Sequence, residues 1–164
     1  MRRIALLALC TALLAGCATL DRDARLQPGQ SRGEDVIALY GPPTRIWPEA
    51  DGGRTLEYST QPMGRRCPMV RLSADGRLVS VVDGLSYASR TRIEPGMTPE
   101  QVSRILGTER SRVFYRNSSE DVWDWNIEPD QTGYPMRFNV HFKDGVVLKA
   151  SQSMVFPSRF PMFD

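Results

Sequence analysis

Pro95–Gly107 reads PGMTPEQVSRILG, and the architecture of the chain can be worked out from it. Thr98 is a helix N-cap, and Gln101 three residues on completes a capping box. Pro99 then falls at the first helical position, where a missing N–H costs nothing. Val102, Ile105 and Leu106 recur at i, i+3 and i+4, so they share one face of the helix. Gly107 ends it, because glycine adopts the positive φ of a helix C-terminus without strain. The stretch predicts a short amphipathic helix that needs an apolar surface to lie on.

A looser copy stands at Pro28–Gly41, PGQSRGEDVIALYG. Ser31 is the expected N-cap with Glu34 closing the box, and Val36, Leu39 and Tyr40 form the apolar face. Gly41 stops the helix, and Pro42-Pro43 forbids its continuation. The segments C-terminal to the two copies are also alike. After the first, strands are expected over Thr44–Trp47, Arg54–Thr60, Met69–Ser73 and Arg77–Val82, with turns at Asp51-Gly52-Gly53 and Asp75-Gly76. After the second, they are expected over Arg112–Tyr115, Val122–Ile127, Arg137–Phe142 and Val146–Ala150, turning at Asn117-Ser118-Ser119 and Asp144-Gly145.

The spacing makes this a repeat. Val36, Leu39, Tyr40 and Gly41 map onto Val102, Ile105, Leu106 and Gly107 at an offset of 66. Leu56 and Tyr58 map onto Trp123 and Trp125 at 67, and Asp75-Gly76 onto Asp144-Gly145 at 69. Gly33 is one of the inserted residues behind the drift. Units this small are marginal alone, so the two are expected to share an interface, a continuous sheet being one form of it.

The N-terminus is a targeting segment. Arg2 and Arg3 precede an apolar run, Ile4–Leu14, too short to span a bilayer as a helix. Leu14-Ala15-Gly16-Cys17 resembles a bacterial lipobox, which implies cleavage before Cys17 and lipidation of its thiol. Two or more acyl chains hold a protein on a membrane where one binds marginally. Ala18 in place of Asp implies the outer membrane, facing the periplasm. The expected division is therefore 1–16 signal peptide, 17–25 lipidated tether, 26–85 first unit, 86–153 second unit and 154–164 tail.

Removing Arg2 and Arg3 leaves 19 basic residues against 19 acidic ones. A neutral mature chain gives no argument for nucleic acid. Cys67 is the one thiol left after Cys10 is removed and Cys17 lipidated, so no internal disulfide can form. Arg65 and Arg66 beside it could lower its pKa, whereas burial would make it inert.

The helix motif, the Trp-x-Trp strand and the F-x-V-x-F-x-D-G hairpin together resemble the SmpA/OmlA (BamE-like) lipoprotein domain. Gly96, Met97, Thr98, Gln101, Val102, Leu106 and Gly107 carry the resemblance in the second unit; Gly29, Ser31, Val36 and Gly41 carry it in the first. It implies an α+β fold of two tandem units, each with two short helices on a small antiparallel sheet. The family's single-domain member is an accessory lipoprotein of the outer-membrane β-barrel assembly machinery. The architecture is also similar to that of β-lactamase inhibitory protein, a tandem repeat that presents a concave sheet to a protein.

Little in the chain suggests chemistry. His141 alternates with Val140 and Phe142, which puts it on the outward sheet face beside Arg137 and Asn139, with no serine or cysteine positioned by sequence. Asp121 and Asp124, like Glu34 and Asp35, read as solvated faces. No spacing suits a metal or a phosphate, so no cofactor is expected and the chain is read as non-enzymatic. Trp123, Trp125, Phe138, Val140 and Phe142 are expected in the core. The tail Met154–Asp164 carries three Phe and two Met in eleven residues and should either fold back on its own sheet or dock on a partner. The expected role is a scaffold or accessory factor in envelope protein assembly. The alternatives are an inhibitor of a periplasmic enzyme and a structural envelope protein. Cys17 is the expected lipidation site, and no catalytic, cofactor-binding, metal or partner-binding residue is assigned.

Overall fold

A computed structural model of the chain describes residues 23–156. It contains two antiparallel four-stranded meanders, each preceded by an eight-residue helix. Helix α1 is Gly33–Tyr40, and strands β1 Arg45–Pro48, β2 Arg54–Glu57, β3 Pro68–Leu72 and β4 Leu78–Asp83 form the first sheet in chain order. A one-turn helix α2, Tyr87–Arg90, leads to α3, Pro99–Leu106. The second sheet is β5 Ser111–Tyr115, β6 Glu120–Ile127, β7 Met136–Lys143 and β8 Val146–Met154.

The α+β repeat is present, with fewer helices than the resemblance implies. The second helix is reduced to a single turn: α2 in the second unit and, before the first, a 3₁₀ turn at Asp23–Arg25, at the end of the segment expected to be tether. An isolated turn does not sustain itself in water. Here α2 is held by its cap, Ser89 N–H donating to Ser86 Oγ at 3.2 Å, and by Ser89 Oγ donating to the Asp83 carbonyl at 2.8 Å.

Helix α3 matches its sequence pattern closely. Gln101 N–H donates to Thr98 Oγ1 at 3.3 Å, and Thr98 N–H donates to Gln101 Oε1 at 2.7 Å. Helix α1 starts later than expected. Arg32, not Ser31, takes the cap position, and its N–H donates to Asp35 Oδ2 at 2.7 Å. The reason is tertiary: Ser31 is held against β4, its carbonyl accepting from Leu78 N–H at 2.8 Å, and Arg32 bridges Arg77. Asp35 is therefore a capping residue rather than a merely solvated one.

The strands fall close to their predicted places. The Asp144-Gly145 turn has φ of 53° and 82° at its two central residues, the sign a tight two-residue hairpin requires. Strand β8 runs four residues past the expected end at Ala150, because β7 begins at Met136 and offers it a partner for Met154.

The sheets are not continuous. Alternation along β2 and β3 puts Leu56, Val70 and Leu72 against Val36, Leu39 and Tyr40 of α1. The opposite face of the same sheet carries Trp47 and Met69, which join Cys67 in one cluster with Val102 and Leu106 of α3 and with Trp123, Trp125, Phe138, Val140 and Phe142 of the second sheet. The layer order is α1, first sheet, α3, second sheet. Helix α3 is the middle layer, so the Pro95–Gly107 motif also joins the units. Fully burying an aliphatic side chain contributes about 1.5–3 kcal/mol, and Val102 and Leu106 are both 0% exposed.

Glu57 completes the junction. It is 0% exposed. Its Oε2 accepts from Trp47 Nε1 at 2.9 Å, and its Oε1 accepts from the Thr108 backbone N–H at 2.7 Å and from Thr108 Oγ1 at 2.5 Å. A buried carboxylate is tolerated when donors surround it, as here. It ties the first sheet to the turn directly after α3.

Candidate functional site

Layering covers the centres of both faces of the first sheet and of the inner face of the second, leaving Ile46, Val82 and Phe114 exposed at their edges. The outer face of the second sheet remains. Strand alternation brings Val113 and Tyr115 of β5, Glu120, Val122, Asp124 and Asn126 of β6, Arg137, Asn139 and His141 of β7, and Lys149, Ser151 and Ser153 of β8 to this face. It is polar at its centre and flanked by exposed apolar groups on the edge strand β5.

The face is cross-linked by its own side chains. His141 Nδ1 lies 2.7 Å from Glu120 Oε2, and its Nε2 lies 3.1 Å from Ser151 Oγ. The His141 contact holds the Glu120 carboxyl below its usual range, with Lys149 adding a favourable charge. Asp124, expected on a solvated face, is 7% exposed. It pairs with Arg110 and accepts from Ser111 Oγ, so its burial is compensated. Asn139 Nδ2 donates to Ser153 Oγ at 3.1 Å. These contacts pre-order side chains that would otherwise lose rotamer freedom on binding.

Ser151, His141 and Glu120 stand in hydroxyl–imidazole–carboxylate order, the order of an acyl-transfer triad. Their setting is different. Ser151 lies in the middle of β8 on an open sheet face, not on a strained strand-to-helix turn. A fluorophosphonate probe that labels a serine hydrolase to completion should leave Ser151 unmodified; a Ser151 adduct would refute the structural role. Among the described residues, no group of three His, Cys, Asp or Glu is placed to hold a metal ion.

Cys67 is 0% exposed. Burial pushes its thiol well up, and the nearby carboxylates Glu57 and Asp83 push it the same way. Of the two alternatives for Cys67, burial is the one that holds, and Arg66 is engaged elsewhere, by Asp23 at 2.7 Å and Asp83 at 3.2 Å. Native Cys67 should resist iodoacetamide for times that fully alkylate the urea-unfolded chain. A raised folded pKa favours the fold while the unfolded thiol stays protonated, and this contribution is lost as pH rises above about 8.5.

Other expected features are divided. Trp123, Trp125, Phe138, Val140 and Phe142 are core residues. His141 is on the outer face, as alternation requires, yet its partners Glu120 and Ser151 lie on other strands and leave no trace in local sequence. Val155 N–H donates to the Pro135 carbonyl at 2.8 Å and Phe156 approaches Tyr134 at 6.4 Å between centroids, so the tail begins by turning back on its own unit. Phe160, Met162 and Phe163, like the lipobox and Cys17, lie outside the described residues.

No family model and no curated protein matches the chain. Among solved structures, the chain is similar to a Streptococcus mutans protein described as a candidate β-lactamase inhibitor. That likeness has 10% identity and a TM-score of 0.31, and it covers 79% of this chain and 91% of the other. At that score it is too loose to carry an argument about fold or activity. The SmpA/OmlA resemblance thus stands on the motif residues alone.

Proposed function

We propose that the chain is a non-enzymatic lipoprotein of the outer membrane, facing the periplasm, which binds another envelope protein through the outer face of its second sheet. The observation that carries this reading is the sheet face itself, with apolar groups on one edge and a pre-ordered polar centre. Polar and apolar groups arranged together on a rigid element suit protein recognition. The lipobox at Cys17 supports the anchor, and the motif resemblance supports a scaffold or accessory role in envelope assembly, with the β-barrel assembly machinery as the first partner to examine.

The anchor is tested by Cys17→Ser, which should move the protein from the membrane to the soluble fraction. Retention in the membrane would overturn the lipoprotein reading. The partner is tested by affinity purification of the tagged, lipidated protein. Barrel-assembly subunits should be recovered, and Val113→Asp with Tyr115→Ala should reduce their recovery by about tenfold if β5 lies at the interface. Recovery of none of them sinks that assignment. Saturable inhibition of a periplasmic enzyme by the protein would favour an inhibitor acting through the same face.

A further inference from the structure

We propose that the loop between β2 and β3, Gln61–Arg66, is a second contact with the lipid surface and fixes how the domain stands on the bilayer. This rests on the reading of Cys17 as the lipid anchor. Met63 is 92% exposed, more than any other large apolar side chain described. The loop that carries it is held by bonds that leave its side chain free. Gly64 N–H donates to the Thr60 carbonyl at 2.6 Å, and Thr60 Oγ1 donates to the Arg66 carbonyl at 2.6 Å. Gln61 brackets the backbone of Asn126, donating to its carbonyl at 2.9 Å and accepting from its N–H at 3.2 Å, while Asn126 Nδ2 donates to the Pro62 carbonyl at 2.7 Å. Met63 is thus a fixed apolar projection with the exposed Arg65 beside it.

Its position supplies the occupant. Arg66, at the base of the loop, is paired with Asp23, where the described chain begins. Asp23 is six residues from Cys17, a span of at most about 20 Å even when fully extended. The loop therefore lies at the end of the domain that the tether brings to the membrane. A tethered group meets the surface at high effective concentration, so even a weak contact selects one orientation. An apolar side chain flanked by a guanidinium suits the boundary between acyl chains and headgroups.

The test uses the full-length lipoprotein in vesicles of phosphatidylethanolamine and phosphatidylglycerol. Met63→Cys is labelled with an environment-sensitive fluorophore; buried Cys67 and lipidated Cys17 do not compete for the reagent. Brominated lipid should quench the label at position 63 about twofold or more, and leave a label placed through Tyr115→Cys on the outer face of the second sheet unquenched. Matched circular dichroism confirms that both labelled proteins are folded. Full sedimentation with vesicles but no quenching at position 63 overturns the loop contact and leaves the anchor standing. Failure of the unsubstituted protein to sediment overturns the anchor reading instead. A blue shift at position 63 without lipid quenching would mean a protein pocket, and also overturns the proposal.

Discussion

Gly107→Ala should destabilise the protein by about 3–5 kcal/mol and lower its melting temperature by roughly 10 °C. Two independent costs meet at this residue. Its backbone lies at φ 76° and ψ −168°. That is a region open essentially to glycine alone, and a side chain there costs of order 1–3 kcal/mol. A Cβ would also run into Cys67 Sγ and come within 3.2 Å of Glu57 Oε1, in the middle of the junction between the units. Overpacking of a closed core costs a further 1–3 kcal/mol or so. Gly41 separates the two costs. It ends α1 with nearly the same backbone, φ 85° and ψ −166°, but nothing lies within 4 Å of the position its Cβ would take. Gly41→Ala should therefore show the backbone cost alone. Urea midpoints for both variants make the comparison, and equal losses would show that the contact with Cys67 and Glu57 relaxes freely.

Glu57→Ala should cost about 3–4 kcal/mol. The carboxylate serves the Trp47 indole, the Thr108 N–H and the Thr108 hydroxyl. Its loss leaves buried donors unmatched, at about 1–3 kcal/mol for each group that cannot find water. Glu57→Gln keeps one acceptor oxygen and should recover part of the loss. Because these groups act as one network, Glu57→Ala and Thr108→Val should combine to less than the sum of their separate effects. A Glu57→Ala protein within about 0.5 kcal/mol of the parent would show that the junction does not depend on this residue.

The helices, hairpins and repeat were legible because local rules set them. Thr98, Gln101 and Gly107 act on backbone groups within a few residues, so capping and termination can be read directly. The alternation of Phe138, Val140 and Phe142 likewise selects one sheet face before any partner is known. Local rules fail where distant backbone competes. Ser31 has the chemistry of a cap, yet β4 claims its carbonyl and moves the cap to Arg32. Asp124 has the look of a surface carboxylate, and only the return of Arg110 and Ser111 across the β5–β6 pairing buries it.

The candidate site was less legible than the fold for the same reason. Its polar groups belong to separate strands, and Glu120, His141 and Ser151 meet only through the register of β6, β7 and β8. The repeated helix-and-meander unit and its apolar faces are set in the sequence alone, because each rests on short-range geometry; the anchor proposed at Cys17 rests on a contiguous motif. The position of α3 between two sheets, the joining of those sheets by Glu57, and the largely uncovered outer face of the second sheet emerge only in the folded chain. Those outcomes depend on which apolar surface covers which, and burial is a property of the assembled layers rather than of any one segment.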